Sequence, residues 1–181
     1  MWGMIATWRM ALEGIQKVTP NLEAGGTAGD AIEGAIKEVE DFPYFKSVGY
    51  GGLPNEKMEV ELDAAYLDGS TFDFGAVCAL KQFANPISVA RALSAYKVNN
   101  VLVGEGAAAF AKAHHFEEKD MLTDRAKIHF HNRLKDIERE QLTPYAGHDT
   151  VGMVGLDAAG DMVAGTSTSG LFMKKPGRVG D

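Results

Sequence analysis

The sequence predicts an α+β fold in which strands and helices pack as mixed layers. Two pairs of apolar, strand-length segments support this prediction: residues 60–67 with 71–80, and residues 151–156 with 162–167. Within the first pair, Asp68-Gly69 is a dipeptide that favours a hairpin turn. Helical segments alternate with these strand pairs, whereas a parallel sheet needs a crossover between successive strands. The pattern therefore favours mixed layers over a parallel βαβ series.

The first 60 residues are predicted to form one strand and two helices. Residues 3–8 are expected to be a short buried strand, and residues 9–17 a helix that ends before Pro20. Thr27, with Asp30 three residues later, resembles a capping box with Asp in place of Glu, so a second helix begins there. Apolar side chains recur along one face of this second helix at Ile32, Ile36 and Val39.

The centre of the chain is predicted to be mainly helical. The dipeptide Asn85-Pro86 supplies an N-cap and a proline suited to the first helical position. The apolar face of that helix consists of Val89, Leu93 and Tyr96. A short strand at 100–103 precedes a helix at 106–113, and residues 142–148 form a connector. The longest helix, at 123–140, has a predicted buried stripe of Ala126, Phe130, Leu134 and Ile137.

Composition indicates a globular protein. With 181 residues, of which 45% are hydrophobic and 24% charged, the chain is expected to form a single domain. The net charge of −7, with no basic block, argues against nucleic acid as a partner. No apolar run approaches the ~20 residues that a membrane span needs. The N-terminus lacks the pattern of a secretory signal, so a cytoplasmic protein fits, as does a periplasmic or lysosomal one whose leader was removed.

No metal site or cofactor is predicted. His129 and His131 are two positions apart in a helical segment, roughly 200° around its axis, so they do not share an ion. Gly104-Glu105-Gly106 lacks the third glycine of a dinucleotide turn, and Glu105 would repel a phosphate. Cys78 is the only cysteine, which excludes an intrachain disulfide, and it is expected to be a small buried side chain.

Thr150 is the candidate nucleophile. It follows Asp149 at the start of an apolar strand. If the chain is cleaved before Thr150, the new α-amino group titrates near ~8 and accepts the proton of its own hydroxyl. One residue then supplies both nucleophile and base. The alternative is an ordinary β-branched residue that begins a strand.

The segment GHDTVGMVGLDAAGDMVAGTSTSG at 147–170, which continues to GRVGD at 177–181, resembles the glycosylasparaginase branch of the N-terminal-nucleophile hydrolases. Further motifs agree in the same order: ATW at 6–8, SVGYGGLPN at 47–55, ELDAAYLDG at 61–69 and NPISVARAL at 85–93. The likeness covers nearly the whole chain. It implies a four-layer αββα sandwich and activation by self-cleavage. Residues 1–149 would be the α-subunit portion, and residues 150–181 the start of the β-subunit.

The resemblance assigns self-cleavage to three consecutive residues. The Thr150 hydroxyl would attack the carbonyl carbon of Asp149 and form an ester by an N-to-O acyl shift, which water would then split. His148 or Asp149 would help to move the proton. The alternative for His148 is an exposed loop histidine without a chemical role.

The resemblance also assigns the mature active site. Thr150 would attack the side-chain amide of an asparagine derivative, and Thr168 would steady this nucleophile by hydrogen bonding. Arg178 would bind the α-carboxylate of the substrate through a bidentate contact, and Asp181 would pair with its α-ammonium. The alternative for Arg178 and Asp181 is that they form a surface salt bridge, which would contribute little to stability. Trp8 would line the substrate pocket, with a core aromatic as the alternative.

Three functions stay open at this level. Trp8 and the GHDTVGM segment favour hydrolysis of N4-(β-N-acetylglucosaminyl)-L-asparagine, a step in glycoprotein degradation, by an (αβ)2 assembly. The isoaspartyl peptidase and L-asparaginase group uses the same threonine chemistry. The third possibility is that the chain is a fragment without catalytic activity. The sequence stops at Asp181, before the Gly-Ala-Gly segment of family members and before the Thr-Gly pair that forms their oxyanion hole. The expected fold is accordingly an αββα sandwich truncated at the C-terminus.

Overall fold

The computed structural model describes residues 1–140 and 150–180. Its strands, in chain order, are Gly3–Ala6 (β1), Leu62–Asp68 (β2), Phe74–Leu80 (β3), Val101–Val103 (β4), Val151–Leu156 (β5) and Met162–Thr168 (β6). They form one six-stranded sheet in the order β1-β5-β6-β2-β3-β4. Neighbouring strands are antiparallel except β3 and β4, which are parallel and joined through a helix. The predicted mixture of hairpins and helices is confirmed.

The helices of the described residues are Leu12–Glu23 (α1), Ala28–Asp41 (α2), Pro86–Ser94 (α3), Gly104–Ala113 (α4) and Asp124–Glu140 (α5), with a 3-10 turn at Arg9–Ala11 before α1. Helix α2 packs on β5 and β6, α3 on β2 and β3, and α4 on β3. Helix α1 forms an outer layer on α2. The main core lies between sheet and helices and includes Ile32, Ile36, Val77, Ile87 and Met153.

The two faces of the sheet differ in what covers them. Side chains alternate between the faces of a strand. Val151, Met153 and Val163 face α2 and α3 and are buried in the core. Ile5 and Val154 face the other way, and they are 72% and 38% exposed. An apolar groove of about 420 Å³ runs over this open face, lined by residues 5–7, 152–154 and 164–166. The described residues thus form the helix layer and one sheet layer of a sandwich.

Helix α1 is longer than the sequence predicts. It continues through Pro20, so the prediction of a helix that ends before this residue is wrong. Proline cannot donate the usual backbone bond, so the helix continues past Pro20 with one hydrogen bond fewer. Gly14 lets α1 approach α2 closely, since a Cβ at Gly14 would overlap the carbonyl oxygen of Ala35. Packing against α2 therefore outweighs the local signal to stop.

Three predicted burials are only partly correct. The segment at 3–8 is not a buried strand, because β1 lies at the sheet edge and leaves Ile5 on the open face. In α5, Ala126 and Phe130 are buried, but Leu134 is 37% exposed, so the predicted stripe does not stay buried along the helix. Cys78 is half-buried rather than fully buried, since it belongs to the open-face series of β3.

Side-chain caps tie the helix layer to the sheet. The Thr27 hydroxyl accepts from the N–H of Asp30 at 3.1 Å, which confirms the predicted helix start. Asp157, in the turn between β5 and β6, accepts from the N–H of Ala28 at 2.9 Å. Asn85 precedes α3 as predicted, but it has a left-handed backbone, and its amide donates to carboxylates at the end of α2 instead of capping α3.

Candidate active site

The β5–β6 hairpin brings Thr150 and Thr168 to the same end of the sheet. Val151 pairs with Ser167 in this hairpin, so the register extended by one residue places Thr150 opposite Thr168. Val151 is in the helix-side core, and Ser167 bonds to a buried side chain of α2. Because side chains alternate, both threonines belong to the open-face series.

The Thr168 side chain is surrounded by neighbouring main chain, although it belongs to the open face of the sheet. Its hydroxyl donates to the carbonyl oxygen of Ser47 at 3.2 Å and accepts from the N–H of Gly170 at 2.9 Å. The main chain at Gly180 lies against its methyl group, since a Cβ on Gly180 would overlap Thr168 Cγ2. The side chain is fully buried as a result. The loop after β6 therefore folds back over the end of its own strand.

Thr150 is half-buried and is anchored through its carbonyl group. The Thr7 hydroxyl donates to the carbonyl oxygen of Thr150 at 2.8 Å and accepts from the N–H of Gly152 at 2.8 Å. The N–H of Thr7 in turn donates to the carbonyl oxygen of Gly152 at 2.9 Å. Thr7 thus extends the β1–β5 ladder with its side chain, which fixes the main chain that follows Thr150.

Trp8 lies at the point where the chain leaves β1. Ala6 pairs with Met153, so the extended register places Trp8 opposite Val151, next to Thr150 in the sequence. Its backbone has a φ of 64°, which turns the chain away from the sheet. The side chain is 61% exposed, so a core aromatic does not describe it. The role of Trp8 in lining a substrate pocket stays a prediction.

Arg178 lies in the loop after β6 and is half-buried. Its N–H donates to the carbonyl oxygen of Lys175 at 3.1 Å, which closes a turn. A Cβ built on Gly170 would lie 3.6 Å from Arg178 Nη1, so the guanidinium is close to the segment that follows Thr168. The structure therefore brings Arg178 close to the segment that directly follows Thr168.

Three of the predicted site residues lie outside the described residues. They are His148, Asp149 and Asp181. Their roles in self-cleavage and in pairing with an α-ammonium stay predictions.

Sequence reasoning missed a buried charged cluster beside this loop. Lys174 Nζ lies 3.8 Å from Glu61 Oε2 and 3.6 Å from Asp63 Oδ2, and all three side chains are almost fully buried. Asp63 also pairs directly with Thr168 in the β2–β6 register. A signal was present in the motif ELDAAYLDG, where Glu61 and Asp63 occupy alternate positions just before the apolar segment Ala64 to Leu67.

Glu40 is a second missed residue, on the helix side of the sheet. It is fully buried and accepts from the Ser167 hydroxyl at 2.7 Å and from the N–H of Ile87 at 3.1 Å. Burial raises the pKa of Glu40 to about 8, even though these hydrogen bonds favour its charged form. Glu40 therefore links the end of α2 to the residue next to Thr168.

Within residues 1–140 and 150–180, no three His, Cys, Asp or Glu side chains are grouped so that they would hold a metal ion. None of the helices in those ranges combines the length and the apolar character that crossing a bilayer requires.

The class of fold follows from a mainly antiparallel six-stranded sheet packed against helices, together with the family match given below. It is the mixed α and β fold of the N-terminal-nucleophile hydrolases. The chain belongs to the asparaginase family of this class, since the family model described as "Asparaginase" matches residues 6–181.

Curated relatives carry several names. The chain is 37% identical to "N(4)-(Beta-N-acetylglucosaminyl)-L-asparaginase" of Elizabethkingia miricola, over 98% of this chain and 52% of the relative. It is 37% identical to "Isoaspartyl peptidase/L-asparaginase" of Xenopus laevis, over 97% of this chain and 58% of the relative. It is 41% identical to "Plant-type L-asparaginase" of Thermococcus kodakarensis, over 86% of this chain and 55% of the relative. The chain spans about half the length of the curated relatives it matches.

Proposed function

We propose that this chain carries the nucleophile of a self-processing threonine amidohydrolase that acts on the side-chain amide of asparagine derivatives. The observation that carries the proposal is the β5–β6 register, in which Thr150 falls opposite the fully buried Thr168. Relatives named for asparaginase activity, at 37–41% identity, support the same reaction class. The first substrate to test is N4-(β-N-acetylglucosaminyl)-L-asparagine.

The proposed activation is an intramolecular acyl shift. The Thr150 Oγ attacks the carbonyl carbon of Asp149, the C–N bond breaks, and the nitrogen of Thr150 takes the hydroxyl proton. Water then hydrolyses the ester, which leaves a carboxylate on Asp149 and a free α-amino group on Thr150. His148 or Asp149 assists the proton transfer. The bond from Thr7 supports this step because it holds the carbonyl side of Thr150 while the scissile side reacts.

The proposed turnover uses the same hydroxyl a second time. The α-amino group of Thr150 accepts the hydroxyl proton, and Oγ attacks the side-chain carbonyl of the substrate. The amine product leaves with a proton, and water hydrolyses the β-aspartyl ester to release aspartate and regenerate the hydroxyl. Thr168 positions the nucleophile from the neighbouring strand.

Substrate recognition is proposed to read two opposite charges on one α-carbon. Arg178 binds the α-carboxylate through its planar guanidinium, and Asp181 binds the α-ammonium. Trp8 lines the site from the edge of the sheet, which its 61% exposure supports. The two chains produced by cleavage stay associated and assemble as (αβ)2.

A second candidate is isoaspartyl peptidase and L-asparaginase activity with the same nucleophile. The observation that favours it is the equal identity, 37%, to a relative of that name. Both activities release aspartate through Thr150, so they differ in the group that leaves.

One sample assayed on both substrates tests the proposal. We expect purified protein to release aspartate from N4-(β-N-acetylglucosaminyl)-L-asparagine, and Thr150→Ala to release none. Thr71→Ala, in the exposed turn between β2 and β3, is the matched control and is expected to act like wild type. Cleavage of a β-aspartyl dipeptide alone would move the assignment to the second candidate. Undiminished activity in Thr150→Ala would refute both.

A further inference from the structure

We infer that Lys174, with Glu61 and Asp63, positions Arg178 and thereby sets the affinity of the site for the α-carboxylate of its ligand. We call these three residues the acid–lysine cluster, and residues 177–180 the arginine loop. The inference rests on the proposed function and adds a positioning role for residues that do not themselves touch substrate.

The acid–lysine cluster holds the arginine loop by its backbone. The N–H of Gly177 donates to both carboxylate oxygens of Glu61, at 3.1 and 3.0 Å. The N–H of Gly180 donates to Asp63 Oδ2 at 2.6 Å. Between these two bonds, Lys174 Nζ donates to the carbonyl oxygen of Arg178 at 2.8 Å. Three buried charged side chains therefore hold the main chain around Arg178, at the N–H of Gly177, the carbonyl oxygen of Arg178 and the N–H of Gly180.

Lys174 keeps the two acids in place. Glu61 directly precedes β2 and Asp63 is the second residue of that strand, and both side chains are buried. Two buried carboxylates without a cation would be strongly destabilising. The ammonium of Lys174, only 1% exposed, lies within 4 Å of both and still has a proton for Arg178.

The same lysine also contacts the segment that follows Thr168. Gly170 has a φ of +73°, and a Cβ there would lie 3.1 Å from Lys174 Cδ and 3.2 Å from its Nζ. Asp63 pairs with Thr168 across β2 and β6. The cluster thus touches the backbone beside the second threonine and the backbone of Arg178. Loss of Lys174 would change the distance between the carboxylate site and the nucleophile.

Binding of L-aspartate by isothermal titration calorimetry tests the inference on wild type, Lys174→Met and Lys174→Arg. We expect Lys174→Met to weaken aspartate binding by about tenfold or more, the effect of one lost hydrogen bond to a charged group. Lys174→Arg restores part of the affinity because it keeps the charge. Lys175→Met is the matched control, since Lys175 is exposed and pairs with Glu56 at the surface. Its affinity is expected to equal that of wild type.

A ligand without the α-carboxylate separates positioning from a general loss of structure. L-aspartic acid α-amide has an uncharged group at that position, so its weaker binding should be the same in wild type and Lys174→Met. Equal losses for aspartate and its α-amide would overturn the positioning role.

Amide hydrogen exchange provides a readout that does not depend on ligand binding. In Lys174→Met, exchange at Gly177 and Gly180 is expected to be at least about tenfold faster, while Ala65 in the middle of β2 stays protected. Glu61→Gln is a second variant in case Lys174→Met fails to fold, and it should accelerate exchange at Gly177 above all. Unchanged exchange in the folded variants would overturn the inference. Wild type that binds no aspartate would contradict the proposed function, and the exchange data would then still decide whether the cluster holds the loop.

Discussion

The Thr7 hydroxyl lies 2.8 Å from the carbonyl oxygen of Thr150 and donates a hydrogen bond to it, across the edge between β1 and β5. The same oxygen atom of Thr7 accepts from the N–H of Gly152. A side chain near the start of the chain therefore fixes the peptide group that follows the candidate nucleophile.

We predict that Thr7→Val slows self-cleavage at Thr150 by about fivefold or more, because a lost hydrogen bond of about 1 kcal/mol or more frees the Thr150 carbonyl group. Valine keeps the shape of threonine and removes only the hydroxyl. The rate is measured by mass spectrometry of samples taken during a time course after refolding. Thr7→Ser keeps the hydroxyl and should cleave at nearly the wild-type rate. Equal rates in Thr7→Val and wild type would show that the bond has no part in activation.

Gly180→Ala is predicted to abolish most binding of aspartate. A Cβ at this position would overlap Thr168 Cγ2, and the neighbouring side chain of Asp63 also lies within contact distance. The main chain must move away from β6, which carries Arg178 with it. Titration calorimetry with L-aspartate measures the effect. Gly106→Ala in α4 meets open space and is the control. Normal binding by Gly180→Ala would mean that the arginine loop does not need this close approach.

The stability of the protein is predicted to fall as pH rises from 4.5 towards 8 through the titration of Glu40. Burial raises the pKa of Glu40 from 4.5 to about 8 in the folded protein, so the folded state binds this proton more tightly than the unfolded state. The stabilisation is complete below pH 4.5 and is lost as pH approaches 8. Across that window the free energy of unfolding changes by up to about 1.4 kcal/mol per pH unit.

Urea unfolding at pH 5 and pH 8.5 measures this dependence. Glu40→Gln has no proton to lose and should show a clearly smaller change between the two pH values. Glu38→Gln removes a partly exposed carboxylate of the same helix, one that pairs with Lys17, and should keep the wild-type dependence. A Glu40→Gln profile that matches wild type would exclude Glu40 as its source.

Asp157→Ala is predicted to lower the free energy of unfolding by about 1–2 kcal/mol, the usual cost of losing a helix cap. The carboxylate accepts from the N–H of Ala28 at 2.9 Å and from those of Ala159 and Asp161 at 3.0 Å. These bonds hold the pKa of Asp157 below its ordinary value, and the bond from Ala28 contributes most. Its stabilisation is therefore present above pH 3.8 and is lost as pH falls further. Thermal unfolding at pH 7 checks the loss, and Asp157→Asn should retain part of the cap.

Local signals predicted the elements of the fold well. Thr27 marks a helix start by accepting a hydrogen bond from the N–H three residues later, and Pro86 marks one by its fixed backbone angle. The structure has a helix at each position. Where a distant contact decides, local signals failed. Helix α1 continues through Pro20 because α2 packs against it. In β5, the alternation of side chains defines two faces, but the sequence does not show which of the two faces the helices cover.

The part of the candidate site that lies within single sequence motifs was predictable. Thr150 and Thr168 are conspicuous as polar residues at the ends of an apolar hairpin, and their register follows from the short turn between the strands. The acid–lysine cluster was not predictable, because Glu61 and Lys174 come from separate motifs and meet only after the loop that follows β6 folds back over β2. Charge pairs of this kind have no signature within a window of sequence.

The most direct measurement for the whole account is N-terminal sequencing, with intact mass, of the purified protein beside Thr150→Ala. We expect a fragment that begins at Thr150 in wild type, and no such fragment in the variant. Hydrolysis of an asparagine derivative by protein whose bond between Asp149 and Thr150 stays intact would contradict it.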